Sequence, residues 1–437
     1  MELLTLSLFC LALLACLISG VSILFALAAG LVLFLLFGRK KGFSWSELFS
    51  IARTGVFSAR NILITFILIG MLTALWRAAG TIPYIVVSAS ALIRPSIFLL
   101  MAFLLNCLVS TLTGTAFGTG ATMGVICAAM GSALGISPVF TGGAILSGVF
   151  FGDRCSPVST SALLVSELTG TNIFDNIRRM TRSALVPALL SCAVYLVLGL
   201  MTPAGGELLQ LDAVFGSEFR LHPACLLPAA VIVVLSVFRV NVKKTMLASI
   251  LTAIPVCVLL QGIPAAEIPR LLVYGFRAKD PSLSSMVNGG GITSMLRVFG
   301  IVCISSSYSG LFRETGLLDG TKQLIGRIAR RTTPFAAMVI TSMPAGMIAC
   351  NQTLSIMLTN QLCGDLKKND SDFALDLADS VVVTAALIPW SIASGVPLSA
   401  AGAPQTAIFF ACYLYLLPLW RLLNSFREKH RSREAAL

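Results

Sequence analysis

Ser147-Gly-Val-Phe-Phe-Gly-Asp-Arg-Cys-Ser-Pro-Val-Ser-Thr160 begins as an apolar helix and ends as something else. Residues 138–152 carry no charge, then Asp153 and Arg154 stand side by side, and a serine, proline and threonine cluster follows. Proline removes an N–H donor and disfavours a continuing helix. A charge inside an apolar span costs roughly 2.5–3.5 kcal/mol on insertion scales. The segment therefore predicts a helix that breaks within hydrocarbon, where irregular backbone is tolerated only if protein or an aqueous cavity surrounds it.

Three other segments read the same way. They are Thr111-Leu-Thr-Gly-Thr-Ala-Phe-Gly-Thr-Gly120, Ala345-Gly-Met-Ile-Ala-Cys-Asn-Gln-Thr353 and Ile388-Pro-Trp-Ser-Ile-Ala-Ser-Gly-Val-Pro397. One such segment is explained by close helix packing through small residues. Four of them, two in each half, predict a translocation site where freed carbonyls and hydroxyls meet a cation.

The rest of the chain supports a membrane setting. Hydrophobic residues make up 57% and charged residues 11% of the 437, against about 25% charge in soluble domains. Runs at 3–18, 21–37, 62–75, 186–200 and 408–420 are free of charge. With uncharged flanks, several reach the roughly 17–25 residues that a spanning helix needs. The first run lacks a basic n-region and a second follows at once, so a retained span is expected, not a signal peptide.

Charge asymmetry sets the expected topology. Arg39, Lys40, Lys41, Arg53 and Arg60 lie between spans and predict a cytoplasmic loop, as do Arg178, Arg179 and Arg182. Loop 201–221 sets Arg220 against Glu207, Asp212 and Glu218 and is placed outside, and loop 262–289 is placed outside with it. Lys243, Lys244, Lys322, Arg327, Arg330, Arg331 and the basic tail return to the inside. Both termini are thus expected in the cytoplasm of a bacterial inner membrane.

The first half starts inside and ends outside, and the second does the reverse. The expected fold is all-α and polytopic, with roughly 10–14 membrane segments. It is divided into two inverted repeats, 1–205 and 222–437, with breaks near 113–120, 151–160, 345–356 and 388–397. Leu75-Trp-Arg-Ala-Ala-Gly80 and Leu311-Phe-Arg-Glu-Thr-Gly316 lie 236 residues apart (313 − 77). The same offset sets Thr115 on Asn351 and 152–160 on 388–396. Arg77 and Arg313 are expected to anchor matched helix ends.

Other classes are poorly served. No basic face with interleaved aromatics supports nucleic-acid binding. Twelve cysteines without a Cys-x-x-Cys pair, and only His222 and His430, give no zinc site. An aspartyl intramembrane protease would need glycine at position 150, which is Phe. No phosphate-binding loop supports a pump. The chain is read as no enzyme and as having no cofactor.

At these motifs the sequence resembles the NhaC-type sodium/proton antiporter family. The likeness rests on Thr113-Gly-Thr-Ala-Phe-Gly-Thr-Gly120, Ser147–Pro157, Ile388-Pro-Trp390 preceded by Asp379-Ser380, and Trp76-Arg-Ala-Ala-Gly-Thr-Ile-Pro83. It implies an ion-transporter fold with scaffold helices around a core of broken segments. The family places an acidic residue near Thr160 and often an Asp where Asn351 stands. It also tends to follow Ile-Pro-Trp with Asn-Thr-Cys-Gly, where Ser391-Ile-Ala-Ser394 stands here.

The expected function is Na+/H+ antiport by alternating access. The alternative is a Na+- or H+-coupled carrier of an amino acid or organic acid. Asp153 is the titrating charge at which Na+ could bind, and Ser156, Ser159, Thr160, Thr115, Asn351, Gln352, Thr353 and Ser391 would supply neutral oxygens. Glu167, Arg154 and Arg297 are accessory charges, the two arginines being candidates to meet a substrate anion. Asp365, Asp370, Asp372, Asp376 and Asp379 read as a solvated loop. The partners are the transported ion or solute and the lipid bilayer, and a homodimer is left open.

Overall fold

The structure is a computed structural model that describes residues 2–19, 22–90, 95–157, 159–202, 215–238, 240–280, 287–315, 325, 327, 329, 331–367 and 369–434. Glu207, Asp212, Gly316, Lys322 and Arg330, used above for orientation and register, lie outside these residues, as does Val158 within the second break. The side chain of Arg313 is likewise outside the description.

Among the described residues the chain is helical, apart from one isolated bridge between Phe276 and Gly289. The helices are α1 (Glu2–Ile18), α2 (Ile23–Lys40), α3 (Trp45–Ser58), α4 (Arg60–Ala78), α5 (Thr81–Ser90), α6 (Pro95–Thr113) and α7 (Ala116–Ala133). Then come α8 (Pro138–Cys155), α9 (Thr160–Thr169), α10 (Ile173–Met201), α11 (Leu227–Val237), α12 (Val242–Pro255) and α13 (Ile268–Tyr274). The chain ends with α14 (Leu296–Thr315), α15 (Pro334–Ala349), α16 (Gln352–Cys363), α17 (Asp370–Leu387), α18 (Ile392–Ala401) and α19 (Cys412–Glu434).

Five helical stretches among the described residues are long and apolar enough to cross a membrane, and up to seven if each bent pair counts as one span. The bent pairs are Leu63–Ala78 with Thr81–Ser88, at 62°, and Asp370–Leu387 with Ile392–Ala401, at 55°. Three shorter apolar helices, Leu4–Leu13, Pro223–Leu235 and Pro334–Ala349, accompany them. Large apolar side chains such as Leu185, Leu189 and Leu200 stand exposed along α10, as lipid contact requires.

Side-chain caps set where the helices begin. Ser44 and Glu47 close a capping box on α3, and Thr115, Ser159, Asn172, Asn351 and Ser391 each accept from backbone N–H groups of the next helix. The breaks expected at 113–120 and 345–356 have matching shapes. Gly114 (φ 66°) and Cys350 (φ 55°) both turn left-handed, and the residues that follow them, Thr115 and Asn351, are extended caps. Glycine tolerates that conformation freely, whereas Cys350 is the only non-glycine among the described residues to adopt it.

The later pair does not keep the 236-residue register. Ser159 and Ser391 occupy equivalent caps, and Gly170 and Gly402 equivalent left-handed C-caps, both 232 residues apart (391 − 159 and 402 − 170). Residues 152–160 therefore correspond to 384–392, not 388–396, because the second half uses four fewer residues between its two breaks. The acidic run is also not the solvated loop that its charge density predicts. Asp370, Asp372, Asp376 and Asp379 belong to a helix, and Asp376 and Asp379 are not solvated.

α8 is apolar around most of its circumference and correspondingly buried, with 14 of its residues inside. It packs against α6, α9, α19 and the turn Gln405–Phe410. The crossing with α6 depends on glycine. A Cβ at Gly152 would lie 2.3 Å from both the Thr111 backbone nitrogen and Ser110 Cβ. Backbone cannot yield as a side-chain tip can, so Gly152→Ala is expected to cost about 1–3 kcal/mol through overpacking. Thermal unfolding in detergent checks this; an unchanged midpoint would mean the helices can part at no cost.

Candidate functional site

Asp153 lies in the last turn of α8 and is 3% exposed. Its carboxylate accepts from Ser161 Oγ at 2.8 Å, Ser159 Oγ at 3.1 Å and Gln352 Nε2 at 3.1 Å. These partners come from the starts of two helices. Ser159 caps α9 and Ser161 sits in its first turn, and Gln352 opens α16. The N-terminus of a helix carries partial positive charge and unpaired N–H groups. Two such ends meet at one carboxylate, which among the described residues has no cationic side chain paired with it.

Among the described residues no lysine or arginine pairs with Asp153. Arg154, its neighbour in sequence, turns the other way. Its guanidinium forms a buried ion pair with Asp379 and donates to the Met180 carbonyl at 2.8 Å, the Ala378 carbonyl at 3.2 Å and Ser183 Oγ at 2.7 Å. This corrects the expectation that Arg154 could meet a substrate anion, because its donors are already engaged.

All four breaks join at this place. The second-half segment reaches Asp153 through Gln352, which also donates to the Val382 carbonyl at 2.8 Å. The last break is stitched to the third by Ile392 N–H donating to the Cys350 carbonyl (2.8 Å) and Trp390 Nε1 to the Met347 carbonyl (3.0 Å).

The neutral residues expected at the site divide into two groups. Ser159 and Gln352 touch the carboxylate directly. Thr115 and Asn351 instead cap their own helices, accepting from Gly118 N–H at 3.3 Å and Leu354 N–H at 2.8 Å. Ser391 caps α18. Ser156 donates to the Thr111 carbonyl at 2.7 Å, which ties the second break to the end of α6. Thr160 and Thr353 are exposed and make no bond to Asp153. Glu167 is exposed in the last turn of α9, and Arg297 is exposed in the first turn of α14, so neither accessory charge is brought to the site.

Two residues important to the site were not among those expected there. Ser161 makes the shortest hydrogen bond to Asp153, and a signal for it existed. Side chains tilt toward the N-terminus of their helix, so a hydroxyl two residues after a cap leans back over the break. Asp379 stands before Ser380 in one of the family-like stretches, but nothing local pairs it with Arg154, since the two lie 225 residues apart.

A family model described as the Na+/H+ antiporter family matches residues 3–167 and 148–420. The arginine/ornithine antiporter ArcD of Halobacterium salinarum is 30% identical over 382 residues, which cover 83% of this chain and 78% of that protein. The Na+/H+ antiporter NhaC of Alkalihalophilus pseudofirmus is 26% identical, covering 89% of this chain and 86% of its own length. The malate-2H+/Na+-lactate antiporter of Bacillus subtilis is 27% identical, covering 82% and 79%.

Proposed function

The chain belongs to the Na+/H+ antiporter family, and from that premise we propose that this secondary antiporter exchanges Na+ for H+ by alternating access, with Asp153 as the group both cations share. The observation that carries the reading is the enclosure of Asp153 by neutral donors alone. A carboxylate paired to arginine is already neutralised and has no use for Na+. One surrounded by hydroxyls and an amide can be neutralised by either mobile cation, but not by both at once, and that exclusion is what couples the two fluxes. When Na+ arrives, the hydroxyls of Ser159 and Ser161 can rotate to present lone pairs, and the proton leaves the carboxylate.

Two repeats of opposite orientation suit this chemistry. The matched turns at Gly114 and Cys350, with their caps Thr115 and Asn351, support that division, and so do the paired caps Ser159 and Ser391. Placement in a bacterial plasma membrane with both termini in the cytoplasm rests on the lysine and arginine distribution. A second reading, exchange that also carries an organic or amino acid, is favoured by a separate cavity described below.

The test uses purified protein in liposomes containing a pH-sensitive dye. A pulse of external Na+, with no organic solute, is expected to make the lumen alkaline as Na+ enters and H+ leaves. A lumen that stays unchanged until an organic acid is added would overturn simple exchange.

A further inference from the structure

At the end of α8 opposite Asp153 lies a cavity of about 240 Å³ bounded by the ends of α4, α7 and α18 and by Asn288. Roughly 18 Å of helix, at about 1.5 Å per residue, separates Thr141 in its wall from Asp153. The volume is below the roughly 300–1,000 Å³ of drug-sized sites, which restricts an occupant to a small metabolite.

Arg77 lines this cavity, and its guanidinium is under-used. The residue is 9% exposed; Nη1 donates to the Thr73 carbonyl at 3.0 Å, and Nε has no hydrogen-bond partner. Among the described residues no acidic side chain lines the cavity and no carboxylate pairs with Arg77. The contrast with Arg154 is direct: that buried arginine has Asp379, and this one has no described group of opposite charge beside it. A cation near the C-terminus of α4 suits the helix dipole, and the Thr73 bond fits that role. It does not account for a buried Nε left unbonded beside an open cavity.

The other lining groups define what would fit. The Asn288 carbonyl oxygen accepts from Ala278 N–H at 2.6 Å, leaving its amide NH2 as a donor. The hydroxyl of Ser132 makes no bond to another described residue. The remaining wall is small and apolar, including Val125, Ala128 and Ala401.

We propose that this cavity binds a small organic carboxylate, with the planar fork of Arg77 taking the carboxylate and the Asn288 amide and Ser132 hydroxyl orienting it. A bare inorganic anion would leave the apolar wall without a partner, so a hydrocarbon portion is part of the assignment. The proposal rests on the antiporter reading and adds to it the class of solute that moves with the cations.

Equilibrium binding of radiolabelled L-lactate, L-malate and L-arginine to the purified full-length protein tests this. At least one probe is expected to bind saturably, with lactamide and chloride failing to displace it. Arg77→Gln should weaken that binding at least tenfold, and Arg77→Lys by less, since a point charge replaces a fork. Ser132→Phe fills the cavity with Arg77 retained and should abolish binding, so it decides the matter if Arg77→Gln does not fold. No binding by any of the three probes, displacement by chloride as effective as by carboxylate, or full binding in both Arg77→Gln and Ser132→Phe would each overturn the proposal. The Na+ pulse without solute reads the exchange reaction separately. Proton movement without carboxylate binding sinks only the carboxylate site; carboxylate binding without Na+-driven proton movement sinks only the exchange reading.

Discussion

Asp153→Asn is expected to abolish Na+-driven alkalinisation of liposomes while leaving a folded protein. The substitution keeps the shape of the side chain and leaves one oxygen for either Ser159, which donates to Oδ1, or Ser161, which donates to Oδ2, while the other hydroxyl can accept from the new amide. It removes the charge that Na+ must neutralise and the atom that carries the proton. Stripping one partner from a buried charge interaction costs about 3–5 kcal/mol. Each 1.4 kcal/mol is about tenfold in affinity, so Na+ binding should weaken by roughly a hundredfold or more. Ser161→Ala removes one hydrogen bond of about 0.5–1.5 kcal/mol and should raise the Na+ requirement only several-fold. Glu167→Gln and Arg297→Gln, at exposed positions away from the carboxylate, should leave exchange unchanged. Wild-type exchange by the Asp153→Asn protein would remove this residue from the coupling and return the question to the hydroxyls alone.

The parts of the fold that were legible in the sequence are those written in local chemistry. Gly-Thr at 114–115 announces a turn followed by a cap, and at 350–351 Asn351 announces the cap although Cys350 gives no sign of its left-handed turn; the structure places both at the same kind of break. Pro157 and Pro389 mark the other two breaks in the same way. Register beyond the first break was not legible. The 236-residue offset is set by the α4 and α14 ends and the first caps, and nothing local records that four residues are absent before Ser391. The site was legible at its centre and blurred at its edge. Asp153 stands out because charge in an apolar run is costly, but Thr115, Asn351 and Ser391 look like ligands and serve as caps. A cap and a ligand call for the same residue types, and only the direction of the side-chain oxygen separates them. Asp379 was lost for the opposite reason. An acidic run reads as solvated, and burial at one end of it depends on a partner from the other half of the chain.

Breaking the pair of Arg154 and Asp379 should cost more stability than any substitution in the cation site. Both side chains are fully buried, and Asp379 already has one carboxylate oxygen, Oδ2, without a hydrogen-bond partner. Arg154→Met would strand that carboxylate with little besides Ser183, whose hydroxyl lies 3.3 Å from Oδ1. Loss of one member of a buried pair costs about 3–5 kcal/mol, whereas replacing both by apolar groups is often neutral. Arg154→Met and Asp379→Leu are therefore each expected to lower the unfolding midpoint in detergent sharply, and the double substitution to recover most of the loss. Additive losses would show that the two residues do not act as a unit. The pair also has a positioning role that stability alone does not report. Arg154 ties the last turn of α8 to α10 through Met180 and Ser183 and to α17 through Ala378 and Asp379, and Asp153 is the preceding residue. A double variant that regains its stability should still need more Na+ for half-maximal exchange, because the end of α8 has lost the anchors that aim the carboxylate. If it instead recovers the wild-type Na+ requirement along with its stability, the pair serves the fold only, and the hydrogen bonds from Ser159, Ser161 and Gln352 suffice to aim Asp153.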